Sequence, residues 1–302
     1  MNHPLPSVTC LAIKQLLLSR LQVALGLYVS DDLLLKKQQE RHIPLHRAKN
    51  DNRVLYVSGI ALQLSGTMKI PPLEIATALS SKIIVNVANL ACGAESSPGA
   101  PVSQDFTVQV VPPGWIHLEL TEPKLAAWLQ CLAQGELKGQ GDKGTPSSSP
   151  SRLFAVQYAH ARCCSLVRLA HGEGLIMLKE PELENTPTVF FAVAPNPIPW
   201  LNCDQKLRFC HPAEHALIAQ LVGLLDELYY PCPSHHTVDW EKAALNLSQA
   251  FQNFYSCCRI WGEVKTQSLH LAQARLGLVI VTQAVLRLLL QDMLGVWAPL
   301  EL

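Results

Sequence analysis

A chain of 302 residues, 49% hydrophobic and 16% charged, has the length for two domains and the apolar content for sizeable cores, which excludes a disordered chain. Lys plus Arg and Asp plus Glu are balanced at 24 each. That balance argues against a broad phosphate-binding surface, because non-specific nucleic-acid affinity comes mainly from excess positive charge; local basic patches stay open.

In chain order, residues 8–27 read as an amphipathic helix, with Leu11, Ile13, Leu16, Leu17, Leu21, Val23 and Leu25 in its apolar stripe. Lys14 and Arg20 bracket Leu16–Leu18 and no small-residue cleavage site follows, so this stretch does not read as a signal peptide. The charged run from Lys36 to Arg41 reads as a solvated face, with an RNA-backbone contact as the alternative. Residues 54–64 read as a second helix. Pro71 and Pro72 open a third over 73–79, since Pro suits a first helical turn. The β-branched stretch 82–90 either continues it or forms a strand. Residues 91–102 read as a loop. Residues 106–111 and 115–120 alternate apolar and polar around Pro112-Pro113-Gly114, the pattern of a hairpin. A helix over 124–132 closes a small α+β domain spanning 1–134.

Residues 135–151 mark a boundary. Gly139, Gly141 and Gly144 are followed by Thr145-Pro146-Ser147-Ser148-Ser149-Pro150, a composition that behaves as a flexible linker. The second domain, 152–302, opens with a helix over 154–170 whose polar residues Gln157, Tyr158, His160 and Arg162 crowd into its N-terminal half. Residues 172–206 are irregular, with a short strand at 189–193. Helices are predicted over 212–229, 239–259 with Asp239 as N-cap, and 268–294 with Ser268 as N-cap and Gly295 as the stop. The most apolar stretch, 276–290, carries Gln283 and Arg287 and is shorter than a membrane span, so it reads as a core helix. The fold class is mainly α: a small α+β domain followed by a helix bundle.

Ten Cys occur without a Cys-x-x-Cys pair, and Cys163–Cys164 and Cys257–Cys258 sit inside helical patterns. They read as buried, reduced thiols of a cytoplasmic protein. His211-Pro212-Ala213-Glu214-His215 matches an inverted zinc-protease pattern. Pro212 marks a helix start there, which leaves His211 outside the helix, and no third ligand follows. Cys210–His211 and Ser234-His235-His236 carry no recognised metal spacing. No Walker A, G-x-S-x-G or G-x-G-x-x-G motif occurs. No metal, cofactor or catalytic residue is therefore assigned, and no membrane partner.

Gln157-Tyr158-Ala159-His160-Ala161-Arg162 resembles the start of the helical anticodon-binding domain of arginyl-tRNA synthetases, the DALR domain. The likeness continues in Glu214 with Leu217 and Leu221, in the run from Phe251 to Cys258, in Gln273-Ala274-Arg275-Leu276, and in Leu294-Gly295-Val296 with Pro299-Leu300. The naming tetrad departs, with Gln for Asp and the last two letters exchanged, and the closing Met is absent. Pro72-Leu73-Glu74-Ile75-Ala76 and Gly114-Trp115-Ile116-His117-Leu118 are similar to two stretches of that family's N-terminal additional domain, in the same order. In the family a nucleotide-binding domain separates the two halves. Here about seventeen residues stand in that place, where one strand–helix–strand unit needs roughly thirty. The family's ATP signatures, His-Ile-Gly-His and Lys-Met-Ser-Lys-Ser, do not occur.

The resemblance implies a non-catalytic relative with a DALR-type bundle that binds tRNA or a tRNA-like RNA. The alternatives are a protein-interaction or scaffold module using the same face, and a tRNA-binding subunit serving a separate catalytic chain. Unstacked bases are read by stacking on aromatic or guanidinium planes and by bonds to their edges. Tyr158, His160, Arg162, Tyr255 and Arg275 have that chemistry and are the candidate RNA-binding residues.

Overall fold

The computed structural model describes residues 11–29, 43–48, 53–91, 105–135, 137, 150–178, 190, 192–231 and 238–302. The charged run 36–41, the loop expected over 91–102 apart from the helical Ala91, most of the linker and His235–His236 lie outside the described residues. The chain divides into two compact units: Ala12–Lys124, and Leu125–Leu302 with Leu11.

The first unit is α+β. Helix α1 (Ile13–Val29) packs on α3 (Pro72–Ala91). Strands β1 (Leu45–Arg47), β2 (Leu55–Ser58), β3 (Phe106–Val111) and β4 (Trp115–Leu120) form one antiparallel sheet in the order β1-β2-β4-β3. Residues 54–64 are not a single helix as expected. Leu55–Ser58 pairs with β4, Tyr56 opposite Leu118, and buries Tyr56 and Ser58 on one face. Only from Ile60 does helix α2 (Ile60–Met68) begin, Gly59 separating the two. Alternation over four residues is a strand signal, and apolar residues on both sides of Gly59 hid it in a helix-length window.

The two prolines do open α3, and the β-branched stretch continues it. The carbonyl of Pro71 accepts from the backbone of Glu74 and Ile75. The hairpin turn lies against that start: a Cβ at Gly114 would sit 2.7 Å from Pro72 Cβ, so only Gly fits the approach. A Lys124–Asp105 ion pair at 3.0 Å, both side chains mostly buried, ties the start of α4 (Glu122–Gln134) to the strand entry.

The second unit is a helix bundle. It holds the rest of α4, then α5 (Pro150–Gly172), a two-residue strand β5 (Met177–Leu178) paired with β6 (Ala192–Ala194), α6 (Pro212–Tyr229), α7 (Trp240–Cys257), α8 (Glu263–Gln267) and α9 (Leu269–Leu288). Helix α9 runs into one π-helical turn, Leu289–Met293, and the chain turns away at Gly295, whose φ of 64° suits glycine. α9 is buried on all faces, from Leu276 through Leu286, and contacts α5, α6, α7 and α8. A helix apolar all round belongs in a core. By length and composition Leu269–Met293 could cross a membrane, but 83% of its most apolar window is buried inside the bundle.

The caps explain the helix starts. Asp239 Oδ1 accepts from Lys242 N at 2.9 Å and starts α7. Ser268 makes no side-chain cap bond, contrary to its expected role; its carbonyl accepts from Leu271 and Ala272 instead. Cys163, Cys164 and Cys258 are buried free thiols, whereas Cys203, Cys210 and Cys257 are exposed, contrary to the expectation.

Trp200 locks the irregular segment to the bundle. Its indole N–H donates to Gln130 Oε1 of α4 at 2.8 Å, and Ile198 N donates to the same oxygen at 2.9 Å. Its ring lies on Gly277 of α9, where a Cβ would meet ring carbons at 2.4, 2.9 and 3.0 Å. Because Trp200 is fully buried, the ring has nowhere to retreat. Gly277→Ala should therefore lower stability by about 1–3 kcal/mol, the usual cost of overpacking, and more than helix propensity returns. A urea midpoint equal to the parent's would show that this packing is loose.

Candidate nucleic-acid interface

Helix α5 has an inward and an outward face set by its 3.6-residue period. Val156, Ala159, His160, Cys163, Cys164 and Val167 turn inward and are buried. Phe154, Tyr158, Arg162, Ser165 and Leu169, spaced by four, four, three and four, make one outward stripe. Phe154 is 57% and Tyr158 46% exposed, and their rings stack at 6.5 Å with planes 28° apart. Two exposed, mutually stacked rings offer flat apolar faces to solvent.

Arg162 follows one turn later. Its guanidinium carbon sits 5.0 Å from the centre of the Tyr255 ring, and its Nη2 donates to the Tyr255 hydroxyl. Tyr255, half-buried on α7, in turn stacks on buried Phe251 at 6.2 Å and 18°. No carboxylate pairs with Arg162 among the described residues. Its charge is held in place by an aromatic surface.

The other two candidates face elsewhere. His160 is fully buried. Its Nδ1 lies 2.8 Å from the Pro299 carbonyl and its Nε2 lies 2.9 Å from Gln283 Nε2 on α9. A neutral ring protonated on Nδ1 satisfies both bonds: it donates to the carbonyl and accepts from the amide. Burial holds its pKa below the ordinary 6.5, the carbonyl bond opposes this, and Arg287 adds to the depression. Neighbouring Cys164 is pushed up to about 12, chiefly by burial, and stays a thiol.

Arg275 is also turned inward. Its side chain is 11% exposed, and Nε donates to Glu214 Oε1 at 2.6 Å; the Glu214 side chain is fully buried. Nη1 donates to the Arg259 carbonyl. Glu214 Oε2 accepts from the backbone N–H of Cys210 (2.9 Å) and His211 (2.8 Å), while His211 Nδ1 accepts from Ala213 N at 3.1 Å. This is a capping box at the start of α6, with His211 as the cap. The His-x-x-Glu-His pattern thus serves a helix N-terminus, and Arg275 fastens that N-terminus to α9.

The structure therefore brings Tyr158, Arg162 and Tyr255 together on one surface, turns His160 into the core and commits Arg275 to the Glu214 pair. Sequence reasoning missed Phe154 as a partner of Tyr158, although its spacing of four residues was available. It also missed the segment after Gly295, which α5 holds by four bonds. Gln157 Nε2 donates to the Trp297 carbonyl at 3.0 Å and His160 to that of Pro299. Arg168 reaches the Leu300 carbonyl at 3.2 Å and Glu301 at 3.0 Å.

Two tests separate these roles. Arg275→Met strands the buried Glu214 carboxylate and should cost about 3–5 kcal/mol in urea unfolding, whereas Arg162→Met should cost about 1 kcal/mol or less. Equal losses would refute the division. For His160 the folded pKa is depressed, so the unfolded chain binds more protons below pH 6.5. Its contribution is complete above pH 6.5 and is lost as pH falls through the folded pKa. Across that window the pH slope of unfolding free energy should be steeper in the parent than in His160→Gln, by at most about 1.4 kcal/mol per pH unit. Identical slopes would show that His160 is not held neutral.

Residues 156–302 match the DALR anticodon binding domain family. The chain is 35% identical over 144 residues to an arginine–tRNA ligase of Synechococcus, covering 48% of this chain and 21% of the relative. It is 33% identical over 158 residues to the ligase of Heliobacterium modesticaldum and 28% over 158 residues to that of Ruminiclostridium cellulolyticum, 52% of this chain in both cases and 24% and 23% of the relatives. The chain thus spans less than a quarter of the length of these curated relatives. No solved structure matched it significantly. Residues 156–302 are therefore a DALR-type anticodon-binding domain, and over this C-terminal half the chain is arginyl-tRNA synthetase-like.

Proposed function

We propose that this chain binds tRNA, or an RNA with a tRNA-like loop, through the outward face of α5, and that it does so without catalysing aminoacylation. The observation that carries the reading is Arg162, a guanidinium seated on the Tyr255 ring with no carboxylate to neutralise it among the described residues, beside the exposed Phe154–Tyr158 pair. Desolvated cation–π seats keep a guanidinium oriented, and an unpaired cation next to open rings suits a phosphate flanked by unstacked bases. The match to an anticodon binding domain supports the same choice.

In this reading Tyr158, Arg162 and Tyr255 touch RNA. His160 and Arg275 act from inside: the first orients α5 and the closing segment, the second braces α6 against α9. The 152–302 domain carries the binding. Residues 1–134 accompany it. No residue is assigned to ATP chemistry, and no cofactor or metal takes part. A protein partner on the same stripe is the second reading, favoured by Leu169, which is exposed at the stripe's C-terminal end.

The test is tRNA binding by the parent, Tyr158→Ala, Tyr158→Phe and Arg162→Ala, each checked by circular dichroism. Tyr158→Ala should lose about 1–3 kcal/mol, the worth of one stacking ring, while Tyr158→Phe stays close to the parent. Arg162→Ala should weaken binding across RNA sequences and lower the salt slope by about one charge. The parent should show no arginine-dependent pyrophosphate exchange. Salt-insensitive binding, or folded variants that bind as the parent does, would pass the face to a protein partner.

A further inference from the structure

The segment beyond Gly295 is fixed along its backbone and bare at one side chain. Trp297 is 69% exposed, while Ala298 beside it is buried. Yet the Trp297 carbonyl is held by Gln157, and the carbonyls of Pro299 and Leu300 by His160 and Arg168. All three holding side chains belong to α5. An indole used to anchor the segment would be turned in, as Ala298 is. Here four polar contacts do the anchoring and the ring is left to solvent.

The placement bears on the stripe described above. Gln157 directly precedes Tyr158 and lies three residues after Phe154, so the Trp297 backbone runs beside the turn of α5 that carries both exposed rings. A large exposed indole is costly in water, and a fixed backbone lowers the entropy lost when the ring is covered.

We propose that Trp297 is a further RNA-contacting residue, a stacking ring on the closing segment that works with Tyr158 on α5, and that Gln157 is its positioning residue. The proposal rests on the RNA reading of α5 and adds to it a stacking ring on a second element, which requires a single-stranded segment. Base faces inside a duplex are covered by their neighbours, and only unpaired, splayed nucleotides can offer faces to rings on two different elements.

The experiment uses the full 302-residue chain and a fluorescein-labelled single-stranded RNA of roughly ten nucleotides, within the span such sites cover. A duplex of the same sequence is the comparison. Trp297→Leu should weaken single-strand binding roughly five- to a hundred-fold and Trp297→Phe less than about threefold. Gln157→Leu should give an intermediate loss with an unchanged unfolding midpoint. Unlabelled single strand should quench tryptophan emission in the parent and in Tyr158→Phe but less in Trp297→Phe; the duplex should not quench it. If Tyr158→Ala loses binding and Trp297→Leu keeps it, Trp297 is a bystander and this inference alone falls. If the parent binds neither RNA, the reading of α5 falls and takes this one with it. Equal binding of duplex and single strand overturns the ligand class.

Discussion

One buried imidazole ties together the three segments on which the candidate surface depends. His160 on α5 donates to the carbonyl of Pro299 and accepts from Gln283 on α9. Its position two residues after Tyr158 puts the two side chains about 200° apart around the helix. Turning His160 in therefore turns Tyr158 out. The same bond that sets the rotation of α5 also sets the path of the closing segment that bears Trp297. With the Gln283 amide donating, both ring nitrogens are satisfied in the neutral state, and burial favours that state. A buried polar group of this kind adds little net stability, but leaving either partner unmade is costly, so it selects one arrangement over others.

The two arginines show how one residue type takes opposite roles in one bundle. Arg275 is spent on a buried carboxylate that already caps α6, so its charge is invisible from outside. Arg162 rests on an aromatic ring that leaves its charge available. Net charge could not have revealed this. The chain is neutral overall, and what matters for RNA is which cations lack a carboxylate, a property of pairing across α6, α7 and α9.

Much of the fold was legible because long periodic segments declare themselves. The helices at α5, α6, α7 and α9 and the β3–β4 hairpin stood where spacing and turn residues put them. The Leu55–Ser58 strand did not, since four alternating residues against Gly59 carry less signal than the apolar run around them. At the site, Tyr158 and Arg162 share a face by their spacing of four, and the same arithmetic places His160 opposite. Arg275 could not be sorted this way: its partner Glu214 is 61 residues away and no local pattern links them. Trp297 lies in a segment without periodicity, and only the bonds from Gln157 and His160 make its exposure meaningful.

The central claim is that the outward face of α5, with the segment it holds, meets RNA. Ultraviolet crosslinking of the full chain to an unmodified tRNA transcript, followed by mass-spectrometric mapping of the crosslinked peptides, addresses it most directly. Aromatic side chains stacked on bases are the groups such crosslinks report. The account predicts adducts at Phe154, Tyr158 or Trp297, abolished by excess unlabelled single strand. Adducts confined to Ala12–Lys124, or none at a concentration where the RNA is bound, would contradict it.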